Sequence, residues 1–313
     1  MIPKYNQNNY NTLAHTYSIV ARDPETGEMG VGVQSHWFSV GSVVSWGEAG
    51  VGVVATQSLV NKSFGLRGLE LLKQGKSPQE AIDIILSDDE GRDVRQVSIL
   101  DAQGRVATHT GSKCIKHAGH IKGENFSVQA NMMLSDKVWP AMVEYFKKYN
   151  NLPLPERIVK CLEAAELEGG DIRGKQSAAL LVVAGEATEN KWEDPKIDLR
   201  VEDHMEPLQE IGRLLKVWRA YEHMNNGDLA IEQGDMGKAL EEYNASMEMF
   251  PENLEMKYWT AVSLANNNKI DESLIIFEEI FKKDNNWRLL TERLPKSELL
   301  NVKKEELDKI LSL

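Results

Sequence analysis

Cysteine is nearly missing from this chain. Among 313 residues only Cys114 and Cys161 occur, far apart and without Cys-x-x-Cys spacing. That leaves no disulfide framework, and it leads to the expectation of a reducing compartment, the cytoplasm, with two buried structural thiols. Cations are also short: 36 Lys and Arg face 48 Asp and Glu, for a net charge of -12. Nonspecific nucleic-acid binding needs a cationic face to displace counterions, and an anionic membrane surface needs the same, so neither partner is expected. No run approaches the roughly 20 apolar residues of a membrane span. Neither Gly-x-Gly-x-x-Gly nor Gly-x-x-x-x-Gly-Lys is present, so a nucleotide cofactor has no support, and no cofactor is expected. Met1 to Ala14 is polar and lacks a basic stretch followed by an apolar one, so no export signal is expected.

What is present reads first as short strands alternating with paired helices. Tyr17 to Ala21 and Met29 to Gln34 flank Asp23-Pro24-Glu25-Thr26-Gly27, a hairpin turn with a Pro to set φ and a Gly free to take φ > 0. Val43 to Trp46 and Val51 to Thr56 repeat the plan, and the near-continuous apolar run in the second predicts a strand covered on both faces. A helix ends near Gly75. A second begins at Ser77-Pro78-Gln79-Glu80, with an N-cap, Pro at the first helical position and early acidic residues. Strands are expected at Gln96 to Leu100, Val106 to Thr110, Phe126 to Ala130, Ser177 to Val183 and Ile197 to Val201. A helix pair is expected at about Asp136 to Tyr149 and Pro155 to Glu168. Two strand groups, each with a helix pair, predict an α+β fold built as a four-layer αββα sandwich over residues 1–205.

From Pro207 the period changes to 3.6 residues, with Leu208, Ile211, Leu214, Leu215 and Trp218 on one face. An internal repeat follows. Gly234, Ala239, Tyr243 and Pro251 recur 34 residues later as Asn268, Ser273, Phe277 and Asn285. Small residues at 239 and 273 permit close helix approach, and the rings at 243 and 277 fill the space between helices. The spacing resembles the tetratricopeptide repeat; a generic pair of helical hairpins is the plainer reading. Residues 206–313 are thus expected to form a C-terminal α-helical repeat domain with capping helices. Such a domain implies a protein or peptide partner.

Four segments carry a resemblance in the first domain: Thr16 to Asp23, Ala49 to Gln57, Gly174 to Leu180 and Asp198 to His204. Together they resemble the domain-of-unknown-function family numbered 1028, over about residues 14 to 215. The resemblance implies an N-terminal-nucleophile-hydrolase fold, which is the αββα sandwich, and no established reaction.

In that superfamily a Thr, Ser or Cys begins the first strand after self-cleavage, and its α-amine, with a pKa near 8, serves as base. Thr16 stands at that strand start, either as the nucleophile, which would make His15-Thr16 the bond cut, or as a strand residue with a structural role only. The expected Lys about thirty residues on is replaced by Trp46-Gly47-Glu48-Ala49. Ser35 and His36 follow the second strand as candidate pocket residues, although neighbours on a strand point to opposite faces. Asn131, after Gln129-Ala130, is either an oxyanion donor or a turn cap. Asp171 and Arg173 form either a site ion pair or a loop-ordering pair, and Ser177 lies in the same polar loop. His109, His117 and His120 cluster without an Asp, Glu or Cys to complete a site, so no metal is expected. Two functions follow. The first is an amide-bond hydrolase acting on a small amidated or peptide-like ligand, with Thr16 attacking and Asn131 or backbone amides holding the oxyanion. The second is a noncatalytic ligand-binding module whose repeats recruit a partner. The oligomeric state stays open, a homo-oligomer included.

Overall fold

The structure, a computed structural model, describes the backbone of residues 12–313 and the side chains of residues 15–190 and 192–313. Most of the polar stretch from Met1 to Ala14 therefore lies outside the described residues. The chain divides into two compact units, one ending at Leu215 and the other running from Lys216 to Leu313. The sequence reading puts the boundary at 205/206.

The first unit holds two antiparallel sheets. One contains β1 (Thr12–Ala14), β4 (Ser45–Glu48), β5 (Gly52–Val60), β6 (Arg95–Asp101) and β7 (Val106–Thr110), in the order β1-β5-β6-β7 with β4 also on β5. The other contains β2 (Thr16–Arg22), β3 (Met29–Ser35), β8 (Gly119–Gly123), β9 (Phe126–Ala130), β10 (Ser177–Val183) and β11 (Ile197–Val201), in the order β11-β10-β3-β2-β9-β8. Helices α2 (Ser63–Lys73) and α3 (Pro78–Ser87) pack on the first sheet, and α4 (Val138–Lys148) and α5 (Leu154–Leu167) on the second. The capping box read at Ser77 forms: Ser77 Oγ accepts from Glu80 N, and the Glu80 carboxylate accepts from Ser77 N at 2.8 Å.

Strand alternation sorts side chains between the layers. In β3, Val31 and Val33 face the space between the sheets, while Gly30 and Gly32 face α5. A Cβ at Gly32 would lie 2.3 Å from Ile158 Cγ2, so the helix rests on bare backbone there. In β5, Val53 and Ala55 join the cluster between the sheets and Val54 joins the one under α2 and α3, as the near-continuous apolar run requires. One element departs from the sequence reading. Gly41–Val44 is a single helical turn, α1, and strand β4 begins only at Ser45. Ser45 Oγ donates back to Gly41 O at 3.0 Å, closing a turn where β-branched valines predict a strand.

The second unit is helical. After α6 (Pro207–Glu232) come α7 (Met236–Met249), α8 (Leu254–Asn266), α9 (Ile270–Lys283), α10 (Asn286–Arg293) and α11 (Lys304–Leu311). Helices α7 and α9 have equal length and start 34 residues apart. Their matching residues are buried: Ala239 and Ser273, Tyr243 and Phe277. The Tyr243 ring lies over Gly227, where a Cβ would come within 2.7 Å of it, and the Phe277 ring meets Tyr258 edge-on at 5.8 Å. None of the helices among the described residues is long and apolar enough to cross a membrane.

Two substitutions test this packing. Phe277→Ala should cost about 3–5 kcal/mol of stability in the helical unit by urea unfolding, as for other fully buried rings. Gly32→Ala should cost about 1–3 kcal/mol in the first unit, because the methyl group overpacks the α5 contact. A loss under about 0.5 kcal/mol at either position would contradict the packing described.

Candidate functional site

The space between the sheets changes character along the strands. At one end it is apolar, filled by Val20, Val31, Val33, Val53 and Leu100. At the other it is polar: Thr16 and Ser18 on β2, Gln57 on β5, Gln96 on β6 and Gln129 on β9 are all fully buried there, alternating on β2 and β9 with apolar residues. Their hydrogen bonds join the two sheets. Gln57 Nε2 donates to Gln96 Oε1 at 2.7 Å and to Thr16 O at 3.2 Å, while Gln57 Oε1 accepts from Ser18 Oγ at 2.6 Å. Gln96 Nε2 in turn donates to Thr110 Oγ1 at 2.9 Å and to Ala130 O at 3.0 Å. An amide network is tolerable in a dry interior only when its members find partners, and these do.

Thr16 lies at the rim of this polar zone. The chain crosses there between the sheets: β1 pairs with β5, His15 spans the gap, and β2 begins at Thr16 in the opposite sheet. The carbonyl of His15, the one joined to Thr16, is held by two donors, Ser35 Oγ at 2.6 Å and Arg173 Nη2 at 2.9 Å. Asp171 fixes the arginine by a bidentate pair at 2.7 and 3.0 Å and accepts from His36 N at 3.1 Å. The His15 imidazole is buried, with Nδ1 2.8 Å from Asn131 Oδ1. Burial holds its pKa below the ordinary imidazole value, with the Asn131 hydrogen bond opposing and the Arg173 guanidinium reinforcing the shift.

The structure thus brings together Thr16, Ser35, Asp171, Arg173 and Asn131, five of the seven residues singled out in the sequence. The other two sit differently. The exposed His36 ring places Nδ1 3.3 Å from Lys175 O, so its backbone, not its imidazole, serves the site. Ser177 Oγ donates to Trp37 O and accepts from Val40 N at 3.1 Å, holding the loop after β3. Asn131 is present, yet its side-chain amide is committed to Gln96 Oε1 at 2.9 Å and Thr16 O at 3.4 Å. Ser35 and Arg173, not Asn131, meet the carbonyl. The buried His15 ring, Gln57 and Gln96 have no distinguishing mark in the sequence; a buried amide in a strand looks like any polar residue on a solvent face.

The family model for the family of unknown function DUF1028 matches residues 16–211. The chain belongs to that family. Its DUF1028 domain also resembles a solved structure, protein SPO2555 from Silicibacter pomeroyi, described as belonging to DUF1028. The identity is 30%, the TM-score 0.58, and the match covers 65% of this chain and 85% of that one. Comparison with curated proteins finds no match.

Elsewhere in the DUF1028 domain, His120 Nδ1 lies 2.8 Å from Thr110 Oγ1 and His109 Nε2 lies 3.0 Å from Arg92 O. No group of three or more His, Cys, Asp or Glu side chains converges among the described residues. A cavity of about 400 Å³ lined by Lys73, Lys76, Asp101 and Arg105 contains none of the site residues.

The seam and its histidines give two expectations. Gln57→Leu keeps the volume but removes the acceptor of the Ser18 hydroxyl proton and one of the two donors to Gln96 Oε1, and should cost about 1–3 kcal/mol; an unchanged urea midpoint would show that the amide carries no structural role. His15 and His120 both have folded pKa values depressed chiefly by burial. The unfolded chain then binds more protons below the ordinary value of 6.5, so their contribution is present above that pH and lost as pH falls. Urea titrations at pH 7 and pH 5 should show lower stability at pH 5, with a smaller drop in His120→Gln; an equal drop would contradict the assignment.

Proposed function

We propose that the DUF1028 domain is a self-activating amide-bond hydrolase of N-terminal-nucleophile type, its paired sheets and outer helices forming the αββα sandwich of that superfamily. The observation that supports this most directly is the pair of donors on the His15 carbonyl oxygen. An oxyanion develops on that atom when Thr16 Oγ attacks the His15 carbonyl carbon. A neutral hydroxyl and a guanidinium already aimed at it stabilise the charge as it forms. The Oγ–C bond then forms, the C–N bond breaks, and the Thr16 nitrogen takes the proton lost from Oγ. Water hydrolyses the resulting ester, leaving a His15 carboxylate and a Thr16 with free amine and hydroxyl.

The same atoms then serve an external amide of small or peptide-like type. Thr16 Oγ attacks the substrate carbonyl, and the α-amine accepts the hydroxyl proton and passes it to the leaving amine. Water releases the acid and restores Thr16. Arg173 supplies the positive charge that a lysine would otherwise bring, since Glu48 stands in the stretch where the superfamily pattern places that lysine. Arg173 also lies beside the reacting carbonyl.

A second reading is supported by the complete burial of Thr16. On that reading the domain binds a ligand without catalysis. In both, the 34-residue helical period is that of a tetratricopeptide-like array, whose role is to hold a protein or peptide partner.

Edman sequencing and intact mass of the purified protein separate the two. The hydrolase reading predicts a new N-terminus at Thr16, absent in Thr16→Ala. A wild-type chain still intact after prolonged incubation near pH 8 would favour the noncatalytic reading.

A further inference from the structure

Resting on the hydrolase reading, we infer that residues 12–15 are the template of later substrates. The site takes an extended peptide that adds as a strand to the edge of β5. At the residue before the cut, that peptide presents a side chain with an N–H or O–H donor for Asn131 Oδ1.

The argument starts from the nucleophile. Self-cleavage and substrate hydrolysis use one hydroxyl, so the carbonyl attacked in each must occupy one place, between Ser35 and Arg173. Whatever precedes that carbonyl then follows the same path in both reactions. In this chain the path is fixed on two counts. First, the backbone runs antiparallel along β5, with Thr12 opposite Val60, Leu13 opposite Leu59 and Ala14 opposite Ser58. Strand β1 is an edge strand, so once the bond to Thr16 is cut and the leader departs, β5 is left with unpaired N–H and C=O groups. Those groups are satisfied by another extended chain. A free amino-acid amide leaves them bare.

Second, the side chain before the cut reaches a defined acceptor. Asn131 Nδ2 donates to Gln96 Oε1 at 2.9 Å, so Asn131 Oδ1 is turned to the His15 ring. Gln96 Oε1 can only accept, and it also accepts a hydrogen bond from Gln57 Nε2, so the direction of the chain of amides is set from inside the core. Asn131 Oδ1 therefore accepts from His15 Nδ1–H. Nε2 of the ring is buried without a partner, so that end of the pocket supplies no donor. The pocket asks for one donor at the depth of the imidazole Nδ1 and for apolar character beyond it. A leucine leaves Asn131 Oδ1 unmatched in a dry site, and a site built to accept a hydrogen bond discriminates strongly against a side chain that lacks one.

The test uses the full chain after Thr16 has been confirmed as its N-terminus. Three fluorogenic probes are compared: N-acetyl-Thr-Leu-Ala-His-aminomethylcoumarin, the same peptide with Leu in place of His, and N-acetyl-His-aminomethylcoumarin. The expected kcat/KM for the first is at least about tenfold above that of either other probe. In Asn131→Leu the His-over-Leu ratio should fall to one or below. Because Asn131→Leu can disturb the seam, a second readout needs no variant: calorimetric binding of the product acids, with N-acetyl-Thr-Leu-Ala-His-OH expected about tenfold tighter than its Leu counterpart. Equal rates and equal binding for the His and Leu peptides, with Thr16 uncovered, overturn this inference and leave the hydrolase reading standing. A short probe cleaved as well as the long one removes the strand-addition part. A chain that never uncovers Thr16 overturns both.

Discussion

The chain of amides from Gln57 through Gln96 to Asn131 is the constraint on which the DUF1028 domain turns. Two sheets laid face to face usually close on aliphatic side chains, and half of this interface does. The other half closes on directional bonds that must all be satisfied together, and so it fixes the mutual register of the sheets more narrowly than oily contact can. One end of that chain of bonds reaches Thr16 O, and the other reaches the His15 ring. The residues flanking the His15-Thr16 peptide are thus located by the core of the domain and not by a surface loop, which is the rigidity a reacting group requires.

Charge is placed with equal economy. Asp171 is almost wholly buried and would be costly to leave alone, but Arg173 grips it with two nitrogens and still has a proton to give the His15 carbonyl. The same carboxylate accepts from His36 N, tying the end of β3, which carries Ser35, to the loop that carries Arg173. Both donors to the carbonyl therefore depend on one aspartate. Removing Asp171 would loosen them together, so on the hydrolase proposal it is a positioning residue.

Much of this architecture was legible in the sequence where the local pattern is unambiguous. The hairpin at Asp23 to Gly27, the capped helix at Ser77, the strands at Val106, Phe126, Ser177 and Ile197 and the 34-residue helical period all follow from turn chemistry or periodicity. The misreadings share a cause. Val43 and Val44 favour a strand by propensity but form a helical turn that Ser45 closes from behind. Strand β8, Gly119 to Gly123, is too short and too polar to stand out, and it exists because β9 offers it an edge. Above all, Gln and Ser at alternate positions of a strand carry no local mark that tells a buried polar face from a solvent face. Here that face is the centre of the protein, and only the second sheet, distant in sequence, makes it so. Thr16, Ser35, Asp171 and Arg173 could be singled out because polar residues at strand ends and in Gly-rich loops attract attention; His15 stood out only as one side of the bond before Thr16, and the part played by its carbonyl and ring is legible only through their contacts.

The central claim is that the His15 carbonyl oxygen is held where an oxyanion forms. Its most direct test is the rate at which newly synthesised chain is cut before Thr16, followed by gel in a cell-free translation reaction for wild type and Ser35→Ala. Loss of one oxyanion donor should slow cutting by about 10²–10³-fold while the chain still folds. Cutting at the wild-type rate in Ser35→Ala would show that the two hydrogen bonds merely satisfy a buried carbonyl, and would contradict the account.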